Sequence, residues 1–253
     1  MTELELLLDL HVQNDRQGPG GDAETLRALE FSGLRHIKGL RVADIGCGTG
    51  ASALLLAETL KTHITAIDLA EPFIHRLRAR ASERGLEEFV EARVGSMESL
   101  PFKDHELDLA WSEGAIYNMG FERGIRAWRQ LLRPGGVLAV SELSWKTASR
   151  PHDLEAHWRR EYPGITTASE NLRMLEHAGY EPLGFFFLPD HCWMENYYEP
   201  IRLGAEAFRN RHRNGPAAAE LIRAEGAERA LYVEHGRYYG YGFYIARAPG
   251  SAG

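Results

Sequence analysis

Val42-Ala43-Asp44-Ile45-Gly46-Cys47-Gly48-Thr49-Gly50 is the stretch that decides the fold. Its first four residues read as a short strand, its glycines as a tight turn, and Ala51 to Leu60 as the helix that follows. A strand feeding a helix through a glycine turn aims backbone N–H groups and the positive end of the helix dipole at one point, where a ligand can sit. Glycines suit that place because a Cβ would hold a ligand off the backbone. Eighteen residues past Gly50, Asp68 lies on the second predicted strand, where a carboxylate can accept hydrogen bonds from two ribose hydroxyls. A nucleoside-containing cofactor follows. The loop alone leaves its kind open: Gly46 to Ala51 also satisfies the G-x-G-x-x-G/A fingerprint of dinucleotide sites, and a glycine turn can serve strand-to-helix packing only.

Outward from this unit, β-branched runs alternate with helical patterns, the layout of a parallel sheet covered by helices on both faces. Five strands are predicted, at Arg41 to Ile45, His63 to Ile67, Phe89 to Val94, Leu107 to Ser112 and Val137 to Glu142. Phe121, Ile125, Trp128 and Leu132 repeat at helical spacing and predict an amphipathic helix over 121–132, stopped by a turn at Arg133-Pro134-Gly135-Gly136. Further on, 171–177 reads as a helix, 181–188 as a sixth strand, 199–235 as charged helix resembling a lid, and 238–246 as a last, aromatic-rich strand. Upstream, Met1 to Leu10 reads as a short helix, Gln17 to Gly21 as a flexible loop and Asp22 to Phe31 as a helix. The organisation expected is one domain over 1–253: cap helices in 1–35, a cofactor-binding core in 36–150 and a substrate-side half in 151–253, with a helical insertion at about 199–236.

Asp44-Ile45-Gly46-Cys47-Gly48-Thr49-Gly50 is similar, residue by residue, to the first motif of class I S-adenosylmethionine (SAM)-dependent methyltransferases, and Asp68 matches their ribose-binding acid. Gly95-Ser96-Met97-Glu98-Ser99-Leu100-Pro101-Phe102 resembles the adenine loop of the ubiquinone/menaquinone-type group. Asp108 to Ser112 resembles its fourth strand, and Leu132 to Gly136 the turn before its fifth. The order of these motifs favours SAM over a dinucleotide. The resemblance extends to a subgroup of bacterial small-molecule methyltransferases. It implies a Rossmann-like, doubly wound α/β fold with a seven-stranded, mostly parallel sheet, an antiparallel last strand and a helical lid. It also implies SAM contacts at Asp44, Gly46, Cys47, Gly48, Thr49, Gly50, Asp68, Leu69, Ser96, Met97 and Ser112, with S-adenosylhomocysteine as product. Ser96 stands where family members often carry Asp, so Ser96 or the Met97 backbone is expected at the adenine. Trp111 to Met119 differs from the Asp/Asn-Pro-Pro-Tyr signature of enzymes that methylate nucleic-acid or glutamine amino groups.

Ligands of an open α/β sheet bind beyond the carboxyl ends of the strands, so residues after the fourth strand should meet the reacting end of the cofactor. Glu113 is the candidate base or amine-binding group, or else a helix cap; Tyr117 orients a substrate or packs; Asn118 stands beside them. The cluster from Asp190 to Tyr198 follows the sixth strand, and Trp193 and Tyr197 are its candidate pocket walls. His191 and Cys192 are adjacent metal-ligand types with no third partner nearby in sequence, and no metal is expected. His11 and Gln17 to Gly20 are candidates for a cap over the cofactor, with the glycines as hinges.

With 44% apolar and 26% charged residues, the 253-residue chain has the composition of a globular domain able to bury a core. Its net charge of -7 argues against a polyanionic partner. Two distant cysteines, Cys47 and Cys192, make no disulfide framework, and no apolar run reaches membrane-spanning length. A cytoplasmic enzyme, monomeric or homodimeric, acting on a small molecule without nucleic acid or membrane, is the expectation.

Overall fold

The computed structural model describes residues 2–250. Met1 of the predicted first helix and residues 251–253 of the predicted third segment lie outside that range. The core strands are β1 (Val42–Ile45), β2 (Ile64–Asp68), β3 (Val90–Val94), β4 (Leu107–Ser112) and β5 (Leu132–Trp145). They are followed by the two-residue β6 (Thr166–Thr167), β7 (Glu181–Phe187) and β8 (Tyr239–Arg247). The sheet runs β3-β2-β1-β4-β5-β8-β7, with β6 attached to β5. All pairs are parallel except those of β8, which is antiparallel to both β5 and β7. The predicted seven-stranded Rossmann-like sheet is present, with β6 as an addition too short to leave a sequence pattern.

β1 is buried throughout, as a central parallel strand with helices on both faces must be. It pairs with β2 on one side (Val42 opposite Ile64) and β4 on the other (Val42 opposite Leu109). The strand order reverses here, so the loops after β1 and β4 part above it and leave a crevice. Asp108 fixes this register: its Oδ2 accepts from the Arg41 backbone N–H at 2.7 Å, and Arg133 pairs with its other oxygen.

Helix α3 (Ala51–Leu60) follows the glycine turn, and α4 (Glu71–Glu83) packs behind it. Helix α5 (Phe121–Arg129) buries Phe121, Ile125 and Trp128 as its spacing predicts, but ends three residues early. The expected turn at 133–136 is instead a bulged start to β5: Leu132 already pairs with Leu107, and Ala248 accepts from Gly135 N–H and donates to Gly136 O, both at 2.7 Å. The chain goes extended because that buries Leu132 completely. Pro134, lacking an N–H, falls at the irregularity where no ladder bond is needed.

The cap is α1 (Glu3–His11) and α2 (Asp22–Ser32). Thr2 and Glu5 start α1 with a capping box. The chain after β5 adds α6 (His152–Glu161), α7 (Ala168–His177), α8 (Asp190–Trp193), a π-helical stretch over Met194–Tyr198, α9 (Glu199–Arg211) and α10 (Pro216–His235). Asp9 of α1 receives Arg211 Nη2 at 3.0 Å and His212 Nε2 at 2.8 Å, and His11 stacks on Tyr197 with ring centroids 6.0 Å apart. Cap and lid are one roof over the carboxyl ends of β1 to β4.

Candidate active site

A cavity of about 880 Å³ lies under this roof. One end is walled by Gly46, Cys47, Gly48, Asp68, Leu69, Ser96 and Met97; the middle by Glu113, Tyr117 and Asn118; the other end by Leu4, Leu7, His11, Tyr197, Glu225 and Glu228. Residues far apart in sequence converge because each follows the carboxyl end of a strand or hangs from the roof.

Asp68 closes β2 with two backbone partners: Oδ2 accepts from Gly48 N–H at 2.9 Å and Oδ1 from Ala70 N–H at 2.9 Å. Burial pushes its carboxyl up against the lowering effect of these bonds. Each oxygen keeps a second lone pair for a ligand hydroxyl. The three glycines, however, meet protein where ligand contact was expected. A Cβ on Gly46 would lie 2.3 Å from Ala115 Cβ, one on Gly48 2.2 Å from Gln17 Oε1, and one on Gly50 2.0 Å from Leu77 Cδ1. They let the loop pack against the β4 loop, the cap and α4 respectively.

Asp44, Thr49, Gly50, Ser112 and Trp193 do not line the cavity. Asp44 is wholly buried beneath it; Ser52 Oγ donates to Oδ2 at 2.6 Å, Oδ1 has no partner, and burial pushes the carboxyl up to about 7. Thr49 anchors the cap. Its N–H donates to Gln17 Oε1 at 2.8 Å, its hydroxyl contacts the carbonyls of Asn14 and Asp15 at 3.0 Å, and buried Arg80 donates to its carbonyl at 2.9 Å. Ser112 is fully buried at the end of β4, its hydroxyl unpartnered. Ser96 Oγ accepts from Glu98 N–H at 3.2 Å, and the Met97 carbonyl accepts from Trp128 Nε1 at 3.2 Å.

Glu113 is not a free base. Its Oε1 accepts from Thr25 Oγ1 at 2.7 Å and Trp111 Nε1 at 2.9 Å, and its Oε2 from Arg16 Nη1 at 2.8 Å. It holds the cap down. Tyr117 lines the cavity, is 40% exposed and makes an edge contact with Tyr162, centroids 6.0 Å apart; desolvation by the surrounding protein pushes its phenol up. Asn118 Nδ2 donates to Ala115 O at 3.0 Å and leaves its amide oxygen available. Tyr197 lines the cavity as expected, where the π-helical stretch widens the turn that carries it. Trp193 points away, stacked on Tyr232 at 4.3 Å within a buried aromatic cluster.

Residues 42–136 match the family model described as "Methyltransferase domain". Together with the glycine loop, Asp68 and the strand order, that match identifies these residues as a methyltransferase domain. The chain carries a class I SAM-dependent methyltransferase domain. The relatives themselves are varied proteins. Over 64% of the chain it is 28% identical to the 27-O-demethylrifamycin SV methyltransferase of Amycolatopsis mediterranei, of which it covers 61%. The chain spans only 20% to 61% of the length of the first three curated relatives. Among solved structures, the 4+2 cyclase SpnF is 28% identical with a TM-score of 0.73, over 91% of this chain and 81% of that one. A SAM-dependent methyltransferase from Thiobacillus denitrificans, solved with S-adenosyl-L-homocysteine, is 21% identical with a TM-score of 0.79, over 97% and 98%. The methyltransferase domain supplies the cavity walls from Gly46 to Asn118. Its remaining walls come from the N-terminal segment with α1, the π-helical stretch and α10.

The sequence reading missed the carboxylates of Glu225 and Glu228 and the anchoring roles of Arg16, Thr25 and Arg80. Only Arg80 carried a signal, as a charged residue on the face of α4 that its apolar residues bury.

Proposed function

We propose that this chain transfers a methyl group from SAM to an oxygen, nitrogen or sulfur atom of a small molecule, and that it does so in a reducing cytoplasm without nucleic acid or membrane, as a monomer or homodimer. The observation that carries the reading is the charge of the cavity. Asp15, Asp68, Glu71, Glu98, Glu113, Glu225 and Glu228 line it, against the single guanidinium of Arg16. SAM bears a sulfonium and an ammonium against one carboxylate, and a site of this composition favours that net positive charge. Asp68 presents carboxylate lone pairs to the ribose; Gly46, Cys47 and Gly48 supply the cradle; Leu69, Ser96 and Met97 flank the base. Bound SAM supplies the activated methyl group. The chain's own part is to hold the acceptor between Tyr117, Asn118 and Tyr197 and to exclude water under the roof. Such positioning can by itself supply about 7 to 11 kcal/mol. With Glu113 fully engaged, acceptors that need no strong base suit the site best: an ionised acid, a thiolate or a neutral amine.

Incubation with SAM and a metabolite extract tests this through S-adenosylhomocysteine and a product heavier by one methyl. A second reading, supported by the cyclase likeness over most of the chain, keeps the scaffold and drops the transfer; it requires an extract component to be consumed while no S-adenosylhomocysteine forms. SAM binding with no turnover across broad panels would instead favour a regulatory module.

A further inference from the structure

Glu24 on α2 and His191 and Cys192 on α8 bring a carboxylate oxygen, an imidazole nitrogen and a thiol sulfur within 4.8 Å of one another. Cys192 Sγ lies 3.7 Å from His191 Nε2, which lies 3.5 Å from Glu24 Oε1. A tetrahedral zinc ion takes bonds of about 2.3 Å to sulfur and about 2.0 Å to nitrogen and oxygen, so its ligand atoms stand about 3.5 Å (S to N) and about 3.3 Å (N to O) apart. The sulfur–nitrogen and nitrogen–oxygen pairs already stand close to those separations, and the remaining pair lies within 4.8 Å.

Burial points the same way. Glu24 is 9% exposed and its Oε2 accepts no hydrogen bond, while Cys192 is completely buried. A buried carboxylate oxygen left without a partner is costly unless a cation compensates it. Gly21 allows the approach: a Cβ there would lie 2.2 Å from Glu24 Oε2 and 3.3 Å from Cys192 Sγ. The His191 side chain, 44% exposed, opens the cluster to solvent and gives an ion its way in.

We propose that Glu24, His191 and Cys192 bind one Zn²⁺ ion, with water in the fourth position. A mixed sulfur, nitrogen and oxygen set suits this borderline-soft ion better than magnesium or calcium, which prefer oxygen alone. None of the three residues lines the cavity. The ion is therefore a tie between cap helix α2 and the start of the lid, beside the hydrogen bond from Asn196 Nδ2 to Gly20 O at 2.8 Å. Binding replaces the thiol proton with metal and releases one H⁺ per ion. The tie does not depend on which reaction the cavity performs.

The test is metal titration of the chelator-treated full-length protein. Zn²⁺ competed against a chromophoric chelator should bind at one equivalent, releasing one proton. Co²⁺ should give tetrahedral d–d bands together with a thiolate-to-cobalt charge-transfer band. Cys192→Ser should abolish the charge-transfer band, and His191→Ala, at a half-exposed site where folding is not at stake, should weaken Zn²⁺ binding at least about a hundredfold. Zn²⁺ should raise Tm in the parent protein and not in His191→Ala. The proposal is overturned by the absence of stoichiometric binding, by a cobalt spectrum without a sulfur band, or by affinity that His191→Ala and Glu24→Gln leave unchanged.

Discussion

Arg16 Nη1 and Glu113 Oε2 stand 2.8 Å apart with both side chains nine-tenths buried, and this ion pair joins the cap to the loop after β4. The pair encloses the cavity with a residue that sequence position alone would make a base.

If Glu113 anchors the cap, Arg16→Ala should cost about 3 kcal/mol of stability, since it leaves a buried carboxylate short of one partner. Urea denaturation measures this. In turnover, Glu113→Gln should raise the KM for SAM more than it lowers kcat. A fall of about 10²-fold or more in kcat with KM unchanged would restore Glu113 as a base.

Asp68→Ala should weaken SAM binding more than tenfold by calorimetry, because charge-assisted hydrogen bonds of about 1.5–3 kcal/mol are at stake. The same change frees the N–H groups of Gly48 and Ala70, so Asp68→Asn, which keeps an acceptor for one of them, should lose less. Affinity unchanged in both variants would remove the ribose assignment.

Glu142, 1% exposed on β5, has neither carboxyl oxygen in a regular hydrogen bond, and burial pushes it up to about 8, opposed by the Tyr162 phenol beside it. In the unfolded chain the group ionises at about 4.3. The fold therefore binds the extra proton between those values: its contribution is full below about pH 4, and on the order of 5 kcal/mol is lost as pH rises from there through about 8. Glu142→Gln should match the parent in stability near pH 5 and exceed it at pH 9. Parallel stability profiles for the two proteins would contradict the assignment.

Trp193→Ala should cost about 3–5 kcal/mol, the loss expected from emptying a packed aromatic core. The KM for the acceptor should respond more to Tyr197→Ala, which removes a cavity wall. Thermal unfolding and acceptor kinetics on the two variants separate core from wall; equal effects of both on KM would return Trp193 to the pocket.

The cofactor half was legible in the sequence because it is built from contiguous units: a strand, its turn and its helix lie within twenty residues, and the fourth strand was read to its exact ends at Leu107 and Ser112. The acceptor half was not, because its walls come from elements joined only by packing. Glu225 and Glu228 sit on α10, a helix with few buried residues whose charges read as a solvated face, although the fold brings both to the cavity wall. Trp193 and Tyr197 are four apart, which places them on one face of a regular helix; the π-helical stretch beginning at Met194 rotates the second away from the first. The glycine loop was placed correctly, but spacing reveals only that a Cβ is excluded, and not that Ala115, Gln17 and Leu77 would meet it.

The interior position of β8 bears on how the chain is made. It is the latest strand among the described residues, yet it fills the slot between β5 and β7. On the ribosome, β1 to β5 can assemble while β5 still offers an open row of N–H and C=O groups, and β7 emerges with no sheet to join. Until residues 239–247 clear the exit tunnel, the nascent sheet presents an edge to other chains, which makes the interval before β8 emerges one exposed to misassembly.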